Sequence, residues 1–242
     1  MKDTVRGLLT ALIVILCWWI SLVILLMTDL QQSHLGIIPL GLVVQTFLYT
    51  GLFITAHDAM HGTVFPRNRK FNDLIGTVAV LLYALFSYKN LMKKHWEHHR
   101  YPGTTRDPDF HAPGKPGFFF WYLRFMSNYL SWKQIIGMAI LFNILLHAFK
   151  IPAINLIIFW IVPSLLSTLQ LFYFGTFLPH RQLSEPFKDD HRARSNNFAV
   201  IWSFLSCFHF GYHWEHHEYP HVAWWKLPAM RRIFLANHQE RR

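Results

Sequence analysis

The chain has 242 residues, of which 52% are hydrophobic and 15% charged, with a mean hydropathy of +0.21. Soluble domains carry roughly 25% charged residues, so composition points to a membrane protein with the length of one domain. A formal charge of +10 would suit a nucleic-acid binder, but that charge follows membrane topology instead. Cys17 and Cys207 are too remote in sequence and setting to form a disulfide framework or a thiolate metal site.

In chain order, residues 8–28 are free of charge and long enough for the roughly 20 residues that a bilayer requires. No small-residue cleavage site follows, so the segment reads as a span and not as a removed signal peptide. Residues 35–56 form a second predicted span, joined to the first by a link without Lys or Arg. Residues 74–88 are apolar but too short to cross, which predicts a buried or re-entrant helix. Two further spans, 134–149 and 153–178, are joined by a brief turn around Lys150 and Pro152, and Pro163 is expected to kink the fourth. If both pairs are hairpins, all but Lys150 of the 23 Lys and Arg lie on one side of the membrane. The positive-inside rule makes that side, with both termini, cytoplasmic. The basic excess then meets anionic lipid, which leaves no role for nucleic acid.

Sixteen histidines stand out. HDAMH at 57–61 follows the second span, HWEHH at 95–99 follows the short apolar segment, and HWEHH returns at 213–217. On helices, His57 and His61 share a face, as do His95, His98 and His99, and as do His213, His216 and His217. All three stripes fall at the cytoplasmic ends of the spans. Neutral imidazoles suit iron, zinc, copper or nickel. One zinc takes four ligands, so eight imidazoles without a cysteine predict two metals. A lone HxxxH arises readily by chance. Two HxxHH clusters, each flanked by Trp and Glu and running into HHRYP or HHEYP, do not.

His180 closes the fourth span as a further ligand or as an interfacial histidine. His209, four residues before His213, either ligates or hydrogen-bonds to a ligand. Asp58, Glu97 and Glu215 inside the motifs, with Asp107 and Asp109 in TRDPDF, fix imidazole tautomers by accepting N–H. Alternatively they are helix-face charges paired with Lys93, Lys94 and Arg100. His34, His147 and His238 read as incidental, and His111, His191 and His221 lack helical partners. The expected architecture is an all-α integral membrane protein: about four transmembrane helices, with a cytoplasmic histidine-rich cap holding a di-metal site. It forms a single domain over residues 1–242.

The three boxes around four spans resemble the integral-membrane fatty acid desaturase and hydroxylase superfamily. Within it, HDAMHG (57–62), FGTFLPHR (174–181), HRARSNNF (191–198) and CFHFGYHWEHHEYPHVAWWKLP (207–228) resemble the bacterial β-carotene ketolases. The resemblance implies a non-haem di-iron centre held by His57, His61, His95, His98, His99, His213, His216 and His217, with His180 as a ninth ligand. It also implies O2-dependent oxidation of the 4-methylene of carotenoid β-ionone rings to a ketone, taking β-carotene to echinenone and canthaxanthin. Each round would draw two electrons from outside, since no GxGxxG follows a predicted strand. A ferredoxin-like donor is implied, docking on the basic face around Lys93, Lys94 and Arg100. The carotenoid would arrive from the bilayer, with the aromatic runs 118–125 and 172–177 and Trp202, Phe204, Phe208 and Phe210 as candidate tunnel walls. The alternatives are a fatty-acyl lipid desaturase or hydroxylase on the same centre, a metal transporter, and a structural zinc protein. Transport sites belong near the bilayer midplane on broken helices, unlike these clusters.

Overall fold

A computed structural model describes residues 2–239 except Ser33, Leu35 and Lys188, with side chains to residue 236; the His238 side chain thus lies outside the described residues. The described residues are helical, without strands. Helix α1 (Lys2–Leu26) and helix α2 (Ile37–Met60) form the first hairpin. Helix α3 (Arg69–Ala84) lies against α2 and turns by 102° into α4 (Tyr88–Arg100), while α5 (Phe118–Tyr129) turns by 83° into α6 (Trp132–His147). Helix α7 runs from Ala153 to His180 as one 28-residue element. The short α8 (Val200–Cys207) and α9 (His213–Glu218) precede α10 (Leu227–Gln239).

Three helices, α1, α2 and α7, are each long and apolar enough to cross a membrane, and five segments are if each bent pair counts as one span. The bracket contains the four spans expected from sequence. Helix α6 has only 16 residues, short of the roughly 20 that a crossing takes. The apolar segment expected at 74–88 covers the C-terminal part of α3, the turn after it and the first residue of α4. That helix stops where Leu85 takes a left-handed φ of 55°, and Ser87 then caps α4 by accepting from the Asn90 N–H.

The α1–α2 and α6–α7 turns sit together at one end of the bundle. Asn155 Nδ2 donates to the carbonyls of Leu26 and Thr28 at 3.1 and 2.7 Å, tying the base of α7 to the end of α1. Large aliphatic side chains on the outside of α1 (Leu12, Ile13, Leu16, Ile20) and α6 (Ile136, Ile140, Ile144) are exposed. These form the lipid-facing belt of a membrane protein. Inside, the Tyr49 ring meets both Trp18 and Tyr83 edge-on at 5.4 Å, joining α1, α2 and α3. Helices α2 and α3 approach closely because Gly76 has no side chain; a Cβ there would collide with Tyr88 and Ala59.

Helix α7 absorbs its prolines in a way that composition does not reveal. Two π-helical stretches, Ile157–Ile161 and Tyr173–Phe177, each end two residues before a proline, Pro163 and Pro179. A proline offers no N–H to the preceding turn and its ring needs room there. Widening that turn supplies the room, and π-bulges of this kind recur at functional sites. The second π stretch ends three residues before His180.

Candidate metal centre

Four elements bring the histidines to one end of the bundle, opposite the two hairpin turns. Helix α2 continues past the apolar span, so His57 is helical and His61 is its C-cap residue. His95, His98 and His99 occupy one stripe of α4, His180 ends α7, and the short α9 carries the last box. Two consecutive left-handed residues, Phe208 and His209 (φ 48° and 63°), turn the chain between α8 and α9. Such conformations cost about 1–3 kcal/mol each in non-glycine residues and persist only where the surroundings impose them.

The imidazoles separate into two groups of four. His57, His61, His95 and His216 form one, and His98, His180, His213 and His217 form the other; within each, one nitrogen per residue lies within 4.8 Å of the rest. His99 stands between them. Its Nε2 is 3.0 Å from His216 Nε2 in the first group, and its ring stacks at 4.3 Å on His217 in the second. His209 joins neither group; its ring packs between Tyr212, Phe204 and Trp224.

Protonation makes sense of this crowding. His98 Nδ1 lies 3.0 Å from both oxygens of Asp107, and His180 Nδ1 lies 2.7 Å from the Arg192 carbonyl. Each Nδ1 therefore faces an acceptor that holds a proton there, and each Nε2 faces inward. His180 Nε2 is buried without a partner, as are His57 Nε2 and the Nδ1 atoms of His61, His213 and His217. His217 Nε2 is 3.1 Å from the Nε2 of both His98 and His213. Burial, reinforced by the neighbouring rings, holds the His213, His216 and His217 imidazoles well below the ordinary histidine value, so they stay neutral. Each unpaired buried nitrogen costs about 1–3 kcal/mol; a cation in each group would satisfy His57 Nε2 in one and His180 Nε2 in the other, and would relieve the close approach of the Nε2 atoms around them. The donor set, neutral imidazole with a carboxylate-supported ring, fits a first-row transition metal.

The five acids divide by orientation. Asp107 supports His98 and also accepts from the Gly103 and Asp109 backbone N–H groups, both at 2.8 Å. Asp109 accepts from the Tyr129 hydroxyl, and burial pushes its carboxyl up to about 6. Asp58 lies 3.8 Å from His57 Nδ1 and accepts the Trp224 N–H at 3.1 Å. Glu97 faces Lys93 at 3.9 Å on the surface of α4. Glu215 faces away from the rings, accepting from Arg231 at 2.9 Å and from the Ser195 hydroxyl. It fastens α9 to α10.

Beneath both groups lies a mainly apolar cavity of about 70 Å³, reached by His57 and His95 from one group and His98 and His213 from the other. Phe125, Gly175, Thr176 and Phe210, from the two aromatic runs and the segment before the last box, are among its lining residues. Gly175 is required there, because the Phe210 ring occupies the space of any Cβ. Trp202 is exposed, and Phe204 packs against Phe47 and Trp224 instead. Phe53, Tyr83, Phe86 and Tyr129 also form the wall. Nothing in their local sequence distinguishes them from ordinary core.

The profile described as "Fatty acid desaturase" matches residues 33–151 and 127–241, which together include every histidine of both groups. The chain belongs to the fatty acid desaturase family. Among its relatives in that family is the β-carotene ketolase of Paracoccus sp. (strain PC1), 41% identical over 234 residues, which are 95% of this chain and 94% of the relative. The beta-carotene 4-ketolase 3 of Haematococcus lacustris is 45% identical over 197 residues, 79% of this chain and 61% of that protein. A zeaxanthin 4-ketolase of Chlamydomonas reinhardtii is 45% identical over 194 residues, 77% of this chain and 42% of that protein. The chain thus spans about three fifths of the Haematococcus protein and less than half of the Chlamydomonas one.

Proposed function

We propose that this desaturase-family chain is a β-carotene 4-ketolase, an O2-dependent oxygenase that converts the ring 4-methylene into a ketone. What carries the reading is the likeness to the Paracoccus ketolase along nearly the whole of both chains. The cavity that meets both histidine groups supports it. All 242 residues act as one domain, with the histidine end of the bundle and both termini cytoplasmic, as the distribution of Lys and Arg favours.

In this reading His57, His61, His95 and His216 hold one iron, His98, His180, His213 and His217 hold the other, and His99 lies between. When bound, the two irons supply the reduction of O2 and the oxidation of an unactivated C–H bond, for which no side chain is adequate. The rest falls to the protein. Asp107 and the Arg192 carbonyl keep protons on the outer nitrogens of His98 and His180, so the inner nitrogens remain ligands. The apolar walls Phe53, Phe86 and Phe125 exclude water and seat a hydrocarbon ring below the histidines. A first round turns CH2 into CHOH and a second gives a gem-diol that loses water to the ketone. Each round consumes one O2, two protons and two electrons from an external donor of ferredoxin type. That donor docks on the basic surface carrying Lys93, Lys94 and Arg100.

The test is pigment analysis of bacteria that accumulate β-carotene and are supplied with an electron donor, with and without the chain. Keto-carotenoids are expected with the chain and not with His98→Ala. Ring-hydroxylated products without ketones, or unchanged β-carotene with altered acyl lipids, would overturn the ketolase assignment and keep the family.

A further inference from the structure

Among the described residues, one carboxylate oxygen of Asp109 accepts no hydrogen bond. One of its carboxylate oxygens takes the Tyr129 hydroxyl. The other, Oδ2, lies 3.8 Å from His98 Nδ1, beyond hydrogen-bonding distance, and accepts no hydrogen bond among the described residues. The side chain is only 12% exposed and forms part of the cavity wall, where Leu91, Phe125 and Met126 are apolar neighbours in the lining. A carboxylate oxygen without a donor in the wall of a mainly apolar cavity is free to accept one from whatever enters it.

Its placement is enforced by the backbone. Three side chains spaced along one face of α5 grip three successive carbonyls of the loop. Asn128 Nδ2 donates to Pro108 and Trp121 Nε1 to Asp109, both at 2.6 Å, and Arg124 Nε donates to Phe110 at 3.1 Å. The Asp109 N–H is meanwhile taken by Asp107. Asp107 and Asp109, two residues apart, are thereby both held against the His98 side of the site. Asp107 is spent on the imidazole. Asp109 is not, since its contact with that ring is too long and Asp107 already accepts the proton.

We propose that Asp109 is the acceptor for a hydroxyl on the substrate ring, and that it retains the alcohol in the cavity for oxidation to the ketone. This rests on the ketolase reading. β-Carotene has no hydroxyl and leaves Oδ2 unpaired, whereas the alcohol of the first round donates its O–H to Oδ2. The carboxylate therefore favours the intermediate over the starting hydrocarbon. A site built to bond a hydroxyl discriminates more strongly than one that measures hydrocarbon volume. No covalent bond changes in this step. The same acceptor fits a hydroxyl already present on an incoming hydroxylated ring, and the two sources separate by feed.

The experiment compares the unaltered chain, Asp109→Ala and Asp109→Asn in cells making β-carotene and in cells making zeaxanthin, with metal per chain measured on each purified protein. From β-carotene, Asp109→Ala is expected to raise the ratio of 4-hydroxy to 4-keto product about tenfold, the loss typical of a hydrogen bond to a charged group. From zeaxanthin, ketone yield relative to the β-carotene feed is expected to fall by a similar factor if the incoming hydroxyl is also bound. A higher 4-hydroxy to 4-keto ratio in both feeds with unchanged relative yield assigns Asp109 to the first-round alcohol alone; a lower zeaxanthin yield with the ratio unmoved overturns retention of that alcohol. Asp109→Asn, which keeps a polar group in the same shape, should return the ratio toward that of the unaltered chain, and metal content should match in all three. An unmoved ratio in both feeds overturns the inference, and so does a loss of metal in proportion to ketone, which would make Asp109 a support for His98. If the unaltered chain itself makes no ketone, the ketolase reading is what fails.

Discussion

The two histidine groups differ in how they are held. All four rings of the group formed by His98, His180, His213 and His217 are buried, and two of them are fixed from behind by Asp107 and the Arg192 carbonyl. In the other group His61 and His95 are only half-buried, and among the described residues no hydrogen bond holds a ring from behind, the Asp58 carboxylate lying 3.8 Å from His57 Nδ1. Ring orientation set by outer hydrogen bonds is worth roughly 10–100-fold in metal affinity. One end of the centre is therefore preorganised, and the other gains its order from the metal.

The largest effect that sharpens this contrast comes from deleting a ligand. His98→Ala is expected to abolish ketone formation and to strip at least one metal, read by elemental analysis of the purified chain. Next is the support of α9: Glu215→Ala removes the charge-assisted bonds that Arg231 and Ser195 make to its carboxylate, which should cost about 1.5–3 kcal/mol. Thermal unfolding in detergent checks it, with metal lost from both groups because α9 serves both. Asp107→Ala should weaken metal binding about 10–100-fold, at the His98 group alone. Equal loss from both groups would erase the distinction between them. The smallest change is expected at the far end of the bundle, where Asn155→Ala removes the tie to α1. A cost of about 1–2 kcal/mol should lower the unfolding temperature while both metals stay in place.

Helical spacing made the stripes legible, because i, i+3 and i+4 residues share a face wherever the segment is helical. His57, His61 and the two HWEHH boxes all meet as that rule requires. The charge pattern likewise placed the hairpin turns of α1–α2 and α6–α7 at one end, where Asn155 now links them. Which imidazole shares a group with which was not legible. His216 goes with His57 and its neighbour His217 with His98, a division set by how α9 crosses between α2 and α4 and not by spacing. The acids were equally ambiguous in sequence. Glu97 and Glu215 occupy the same place in identical motifs, yet one lies on the surface and the other is buried against Arg231, because only α9 is covered by a following helix. The π stretches of α7 did have a signal, a proline two residues beyond each, which length and hydropathy alone do not register.

The most direct measurement is metal released per chain during graded chelation of the purified, detergent-solubilised protein. Two metals per chain leaving in two steps are expected, the first from the group containing His61 and His95, so that His61→Ala shows only the slower step. One metal per chain, or a release curve that His61→Ala leaves unchanged, would contradict a two-metal centre built from these groups.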